Sequence, residues 1–339
     1  MMAEKTRIAI VGYGNVGKGV HQAIQANSDM EVSGILTRDP KRTRSQLVNK
    51  VNGVFSANLI SSIEALAKRT DVAVLCGGSK KDLPQQGPLY AVHFNTVDSF
   101  DTHNNIPEYF KMMDGVSSYH GNVAVISAGW DPGTFSTSRV LFDSFIPGAI
   151  PKAFYGLTKK GGLSQGHSQA IRTIEGVKDA RQYTHAIPEA MEKVRNGENP
   201  NLSNREMIWR ECQVVLKNDT LDERKRVSEE VKNMENYFAP YETKVNFVSQ
   251  SDLDKKYSGM PHDGLVLAVG KTGNGNKTTI EYKNVWESNP EATGNVLVAC
   301  ARAAHRLNTE KKIGTYTMLD IPPAYFSQKS HDELLRDFM

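Results

Sequence analysis

Six residues near the start of the chain have the types and spacing of a dinucleotide-binding turn: Gly12-Tyr13-Gly14-Asn15-Val16-Gly17. In such a turn the first glycine allows the tight bend, the second lets backbone approach a pyrophosphate, and the third lets the next helix pack closely on the strand. The helix start then offers unpaired N–H groups and a positive dipole end to the phosphates. Three glycines at this spacing arise by chance, so the weight rests on context. A β-branched run, Thr6–Val11, precedes them, and a helical pattern of Val16, Val20 and Ile24 follows. The rivals are a ligand-free glycine turn and a methyltransferase-type loop. Further on, where an NAD site places an acid for the ribose 2′-hydroxyl, the chain reads Leu36-Thr37-Arg38-Asp39, with Lys41 and Arg42 close behind. A hydroxyl followed by a guanidinium suits a 2′-phosphate, because Arg donates two parallel hydrogen bonds to it. Asp39 precedes Pro40 and reads as a helix N-cap. The expected cofactor is NADP rather than NAD.

The elements that must carry these residues alternate. Strands are expected at 6–11, 31–36, 71–76, 94–97 and 122–127, with helical segments between them, the clearest at 105–119. That pattern means an α/β fold with a doubly wound parallel sheet of Rossmann type. After Gly129-Trp130-Asp131-Pro132-Gly133 the pattern changes. A Gly-rich loop (161–166), a charged stretch (188–204) and an amphipathic helix (222–237) appear. Runs at 242–248, 264–269 and 278–285 resemble antiparallel strands, and Gly273-Asn274-Gly275-Asn276 is a hairpin turn. A helical pattern at 290–307 is placed to return to the first sheet. The expected layout is a dinucleotide domain at 1–130, joined by 288–339, and an α+β second domain at 131–287.

Several loops together resemble the meso-diaminopimelate dehydrogenase family. They are the glycine turn itself, Thr96-Val97-Asp98-Ser99-Phe100-Asp101, Gly129-Trp130-Asp131-Pro132-Gly133, Gly162-Leu163-Ser164-Gln165-Gly166-His167-Ser168, Gly259-Met260-Pro261-His262 and Ala303-Ala304-His305-Arg306. Six such segments in the family's order, spread over nearly the whole chain, are specific. The resemblance implies NADP-dependent oxidative deamination at the D-centre of meso-2,6-diaminopimelate, in lysine and cell-wall precursor supply. It also implies a homodimer whose second domain serves substrate binding and dimerisation. The rival readings are another two-domain dehydrogenase, such as one acting on homoserine or aspartate, and a non-catalytic NADP sensor.

Asp101 and Asp131 lie in loops after expected parallel strands, where ligands bind in such sheets. Two carboxylates there suit the ammonium of the reacting centre and a proton leaving it; the bland alternative is capping and turn formation. The resemblance further implies that Thr184, Arg210 and His262 grip the distal L-centre carboxylate, and that Asn276 contacts the same centre. It places Tyr155 where the family has a pocket tryptophan and gives Gln165 and Gly166 to the reacting end of the substrate. On the cofactor side it implies Gly12, Tyr13, Gly14, Asn15, Val16 and Gly17; Thr37, Arg38 and Asp39; Cys76, Gly77, Gly78 and Ser79; Ser99, Phe100 and Asp101; and Ala128, Gly129, Trp130, Asp131 and Pro132. His167 is expected to order its loop, and Cys76 to be a strand-end residue rather than a nucleophile. Asn105 and Gln169 stand where the family commonly has Asp, and residues 157–160 look like a short insertion.

Composition narrows the class. The 339 residues carry 41 Lys and Arg against 38 Asp and Glu, a net charge of +3. That balance, without a clustered basic stripe, argues against a nucleic-acid binder. Three widely spaced cysteines fit a reducing compartment. No apolar stretch approaches the length of a membrane span or a secretory h-region, so a cytoplasmic location is expected. No His, Cys and Asp cluster with metal-ligand spacing is present, and no metal is expected.

Overall fold

The β-branched run that opens the chain forms β1 (Thr6–Val11) in a computed structural model that describes residues 5–47, 54–56, 60–198, 200–235 and 237–339. Its apolar residues are buried on both faces, and they split by parity between two cores. Ile8 and Ile10 join one cluster, Ala9 and Val11 the other, as successive side chains of a strand must. The chain continues through α1 (Asn15–Gln25), β2 (Met30–Thr37), α2 (Pro40–Gln46), β3 (Val54–Ser56), α3 (Ile60–Ala67), β4 (Val72–Leu75), α4 (Leu83–Ala91), β5 (Asn95–Asp98), α5 (Ile106–His120) and β6 (Val123–Val125). Every pairing among these strands is parallel.

A helix, α6 (Phe135–Phe145), leads into a second set of elements: β7 (Lys152–Tyr155), β8 (Gly162–Ser164), α7 (Gln165–Arg172), β9 (Val177–Ala186), α8 (Pro188–Arg195), α9 (Asn204–Met207), β10 (Ile208–Leu216), α10 (Leu221–Lys232), β11 (Glu242–Phe247), α11 (Gln250–Lys256), β12 (His262–Lys271) and β13 (Lys277–Trp286). The chain then returns through α12 (Asn289–Thr309), β14 (Gly314–Tyr316) and α13 (His331–Phe338).

Contacts divide the chain into two units, Met1–Thr137 with Pro290–Met339, and Ser138–Asn289. In the first, the sheet order is β14-β6-β5-β4-β1-β2-β3. The order reverses between β4 and β1, the switch point beside which ligands bind in open α/β sheets. Leu297, Val298, Ala301 and Ala304 of α12 are buried with Ile8, Ile10 and Val74 in one core. Small residues let α12 lie against α1, since a Cβ at Gly19 would come within 2.3 Å of the Pro290 carbonyl oxygen. Arg302 on α12 fixes the helix with an ion pair to Asp29 at 2.7 Å and a bond to the Phe326 carbonyl.

The second unit holds two sheets, β11-β10-β9-β8 and β13-β12-β7. Ala180, Cys212 and Val214 pack with Val227 and Val231 of α10 and with Phe238. Phe154, Leu265, Leu267 and Val269 pack with Ala190 and Val194 of α8. Two expectations are corrected here. The run at 242–248 is not antiparallel: β11 runs parallel to β10, because α10 supplies a crossover between them. The amphipathic helix stops at Lys232 rather than 237, and beyond it Phe238 turns inward to become fully buried.

Candidate active site

In the first unit the glycine turn joins β1 to α1. Gly12 has φ +90°, a left-handed backbone that a side chain disfavours, and its N–H bonds the Leu36 carbonyl at 2.8 Å. A Cβ at Gly17 would sit 2.1 Å from the Gly12 oxygen, whereas one at Gly14 would meet nothing within 4 Å. The turn is therefore closed on the strand side and open on the other. Helix α1 begins with no side-chain cap and no acid in its first turn, so its N-terminal N–H groups and dipole end stand ready for an anion. Tyr13 lines the groove beside this opening, and its hydroxyl lies 2.7 Å from His21 Nδ1. Asn15 and Val16 form the first turn of α1.

A groove of about 380 Å³ runs past the turn, lined by Gly14, Thr37, Arg38, Arg42, Cys76 and Gly78 among others. Asp39 also borders it, but its Oδ1 accepts the Arg42 N–H at 3.0 Å and caps α2. At the end of β2 the hydroxyl and guanidinium of Thr37 and Arg38 remain, with Arg38 reaching Asp82 at 3.6 Å. This set fits a dinucleotide carrying a 2′-phosphate. Gly77 lines the same groove. Ser79 Oγ accepts the Asp101 N–H at 2.8 Å and ties that loop to the one after β5. The Cys76 thiol donates to the Val74 carbonyl at 3.7 Å, and burial pushes its pKa up to about 12, so it holds its proton at neutral pH.

Asp101 and Asp131 follow β5 and β6, neighbours in the sheet. Asp101 is exposed and Asp131 half-buried. Ser99 is half-buried and Phe100 is buried, its ring stacked on Tyr109 at 4.2 Å. The loop after β6 carries Ala128, whose N–H bonds the Asp98 carbonyl, and Gly129, followed by Trp130, which meets Phe135 edge to face. The Asp131-Pro132 peptide is cis.

The second unit assembles a different constellation. Arg210 of β10 and Thr184 of β9 are register partners, and Thr184 pairs in turn with Gly162 of β8. The His262 ring lies beside Gly162, 3.4 Å from where a Cβ would stand there. The Leu163 N–H bonds the Pro261 carbonyl, holding this edge. Arg210, Thr184 and His262, distant in sequence, thus share one neighbourhood. Arg210 is 6% exposed. Its guanidinium donates to Thr184 Oγ1 at 3.3 Å and lies 4.0 Å from the Tyr241 ring centroid. Its buried Nε has no partner, and no carboxylate among the described residues pairs with it. Burial lowers its pKa, and burial likewise holds His262 below its ordinary value.

Gln165 and Gly166 open α7, directly after β8. Tyr155 pairs with Gly264, two residues beyond His262, and its hydroxyl accepts from Arg139 at 3.1 Å. His167 lies 2.6 Å from Ser164 Oγ and edge-on to Tyr237 and Phe238. Burial, with the nearby Arg210 charge, lowers its pKa to about 3, so it is neutral. The segment 157–160 is pinned at its start by Asp263, whose carboxylate accepts the Leu157 and Thr158 N–H groups at 2.8 Å each.

Asn276 is a correction. It is exposed at the turn between β12 and β13, at the opposite end of β12 from His262, roughly 30 Å along the strand. Gly-Asn-Gly-Asn here forms the turn between the two strands. The asparagine that the fold does bring near is Asn289, whose N–H bonds the Met260 carbonyl at 2.8 Å, two residues before His262. Its signal in the sequence was an Asn-Pro pair at a helix start.

The family model for the diaminopimelic acid dehydrogenase C-terminal domain matches residues 129–288. A meso-diaminopimelate D-dehydrogenase of Acetivibrio thermocellus is 47% identical over 338 residues, covering 99% of this chain and 98% of its own. That of Corynebacterium glutamicum is 38% identical over 97% of this chain and 98% of its own. Among solved structures, a C. glutamicum DAP dehydrogenase in complex with DAP has a TM-score of 0.90 at 36% identity, covering 99% of both chains. An engineered D-amino acid dehydrogenase bound to NADP+ has a TM-score of 0.86 at 35% identity, covering 99% of this chain and 100% of its own.

Proposed function

This chain belongs to the meso-diaminopimelate D-dehydrogenase family, and from that premise we propose that it deaminates the D-centre of meso-2,6-diaminopimelate with NADP, reversibly. The products are L-2-amino-6-oxopimelate, ammonia and NADPH, with water supplying the new carbonyl oxygen. The observation that carries the reading is the buried Arg210 guanidinium, which has a hydroxyl and an aromatic face beside it but no acid paired with it among the described residues. A buried charge without a counter-ion is costly, and a ligand carboxylate is the partner that relieves it.

Arg210 donates to the L-centre carboxylate, Thr184 adds a hydroxyl, and neutral His262 adds a ring nitrogen. Asn289, beside Met260, takes the place in this set that Asn276 cannot fill. Tyr155, Gln165 and Gly166 border the substrate. Asp101 and Asp131 hold the ammonium of the D-centre, and one of them accepts its proton. Anchoring the far end fixes which face of the D-carbon reacts, an orientation effect of several kcal/mol. Thr37 and Arg38 hold the 2′-phosphate, and the open face at Gly14 with the start of α1 holds the pyrophosphate. NADP, when bound, supplies the hydride acceptor.

The working species in this reading is a cytoplasmic homodimer. Val140, Leu141, Phe145 and Ile150 expose apolar surface on and just after α6, a patch that suits a second copy. The three cysteines are free, in keeping with a reducing compartment. No helix among the described residues is long and apolar enough to cross a membrane.

The deciding experiment incubates the chain with NADP+ and separate meso-, LL- and DD-diaminopimelate and follows absorbance of the reduced cofactor. Turnover of the meso isomer with ammonia release is expected, and none with the LL isomer. Equal rates with LL, or none with meso, would overturn the reading. Sedimentation at micromolar concentration tests the dimer.

A further inference from the structure

We propose that Asp98 is a positioning residue for the deamination: its buried carboxylate clips together the two loops that carry Asp101 and Asp131. Asp98 ends β5 and is 0% exposed. One carboxylate oxygen, Oδ1, accepts the Phe100 N–H at 2.9 Å and the Ser127 N–H at 3.1 Å. The first belongs to the loop leading to Asp101, the second to the loop leading to Asp131. The other oxygen, Oδ2, accepts the Tyr109 hydroxyl at 2.8 Å. The backbone carbonyl of the same residue accepts the Ala128 N–H. One side chain thus references both loops to a single strand end and to α5.

Two further observations favour this over an ordinary core carboxylate. Ser127 has φ +55°, a left-handed backbone rare for a residue with a side chain, and its N–H is one of those Asp98 holds. Strained positions of this kind persist where surroundings over-determine them and cluster at functional sites. Phe100 is also stacked on the ring of Tyr109, so loop residue and phenol donor are packed together. Burial, opposed in part by these bonds, pushes the Asp98 pKa up to about 6. Tyr109 is the titratable group facing it among the described residues, and no charged side chain there pairs with it. A fold needing only acceptors here could use a neutral amide; the carboxylate gives charge-assisted bonds, roughly twice as strong.

The inference rests on the proposed roles of Asp101 and Asp131, so the test keeps the two apart. Steady-state kinetics with meso-diaminopimelate and NADP+ are measured for Asp98→Asn and Asp98→Ala, with NADP+ affinity and melting temperature for each. The Asn variant keeps one oxygen for both N–H groups; its kcat is expected to fall about 3- to 10-fold, with NADP+ affinity within about twofold and no loss in melting temperature. The Ala variant loses all three acceptors, and its kcat is expected to fall at least about 30-fold. An Asn variant with kcat within about twofold of the parent, or one whose activity falls only as its folded fraction falls, overturns the proposal. If the Ala variant does not fold, the Asn variant decides alone. Asp101→Asn and Asp131→Asn run in the same assay: if both are silent while Asp98→Asn is impaired, the roles of those two carboxylates fail and the clip stands.

Discussion

Arg210 stacks on Tyr241, its guanidinium carbon 4.0 Å from the ring centroid, while its Nη1 donates to Thr184 across the β9–β10 pair. An aromatic face stabilises a desolvated cation by about 2 kcal/mol, less than a carboxylate does, so the cation is held in place and left short of charge. The same residue that recognises the substrate is therefore a liability in the empty protein.

That gives the first prediction opposite signs for two measurements. Arg210→Met should lower kcat/KM for meso-diaminopimelate by roughly 100-fold or more, since bonds to charged groups are strong and the anchor is lost. The ligand-free variant should melt no lower than the parent, because an unpaired buried charge has gone. Steady-state kinetics and calorimetry check both; a variant that melts well below the parent would count against the unpaired-cation account.

Cofactor choice turns on the end of β2. The Arg38 side chain is 76% exposed, so Arg38→Ala should leave stability alone. KM for NADP should rise at least about tenfold while KM for NAD changes little, because the guanidinium serves the 2′-phosphate. Equal losses with both cofactors would mean the groove is read wrongly.

Asp98 ties pH to stability in an unusual direction. Its folded pKa of about 6 is above the ordinary carboxylate value, so the folded state binds this proton more tightly than the unfolded chain. The stability it contributes is full below the ordinary value near pH 4 and is lost as pH rises through about 6, a difference of about 3 kcal/mol at most. Asp98→Asn should accordingly melt higher than the parent at neutral pH, with the gain vanishing near pH 4. Melting curves across that range would show it; a gain independent of pH would exclude a buried ionised carboxylate.

Asn276→Ala should leave kcat and both KM values within about twofold, since this residue sits at an exposed turn far along β12 from His262. Asn289→Ala in the same assay should raise the substrate KM. The reverse outcome would require a β12–β13 hairpin unlike the one described.

Much of the first unit was legible because a strand buried on both faces reads as a continuous apolar run, as in residues 8–11 and Val72–Leu75. The Asp39 cap and the glycine turn were legible for the same reason: their chemistry is local. Strands β9 and β10 were not, because polar residues interrupt the apolar pattern of each. Gln182, Thr184, Arg210 and Gln213 are buried, so burial there does not follow hydrophobicity. Arg210 and Thr184 meet through strand register, and His262 joins them from the other sheet beside Gly162, which no spacing in the chain reveals. Asn276 went astray because an Asn-Gly repeat suits a turn whether or not a ligand is near, and Asp98 was passed over because two of its partners are backbone N–H groups, one of them 29 residues away.

The return of α12 and β14 to the first sheet has a consequence for synthesis. Residues 138–289 are contiguous, so the second unit can complete its core as soon as they clear the ribosome. The first unit, although it begins the chain, lacks one covering helix and one edge strand until residues 290–316 emerge. At roughly 5–20 residues per second, its nucleotide groove spends many seconds beside an apolar sheet face still awaiting its cover. The half of the molecule made first is the half finished last.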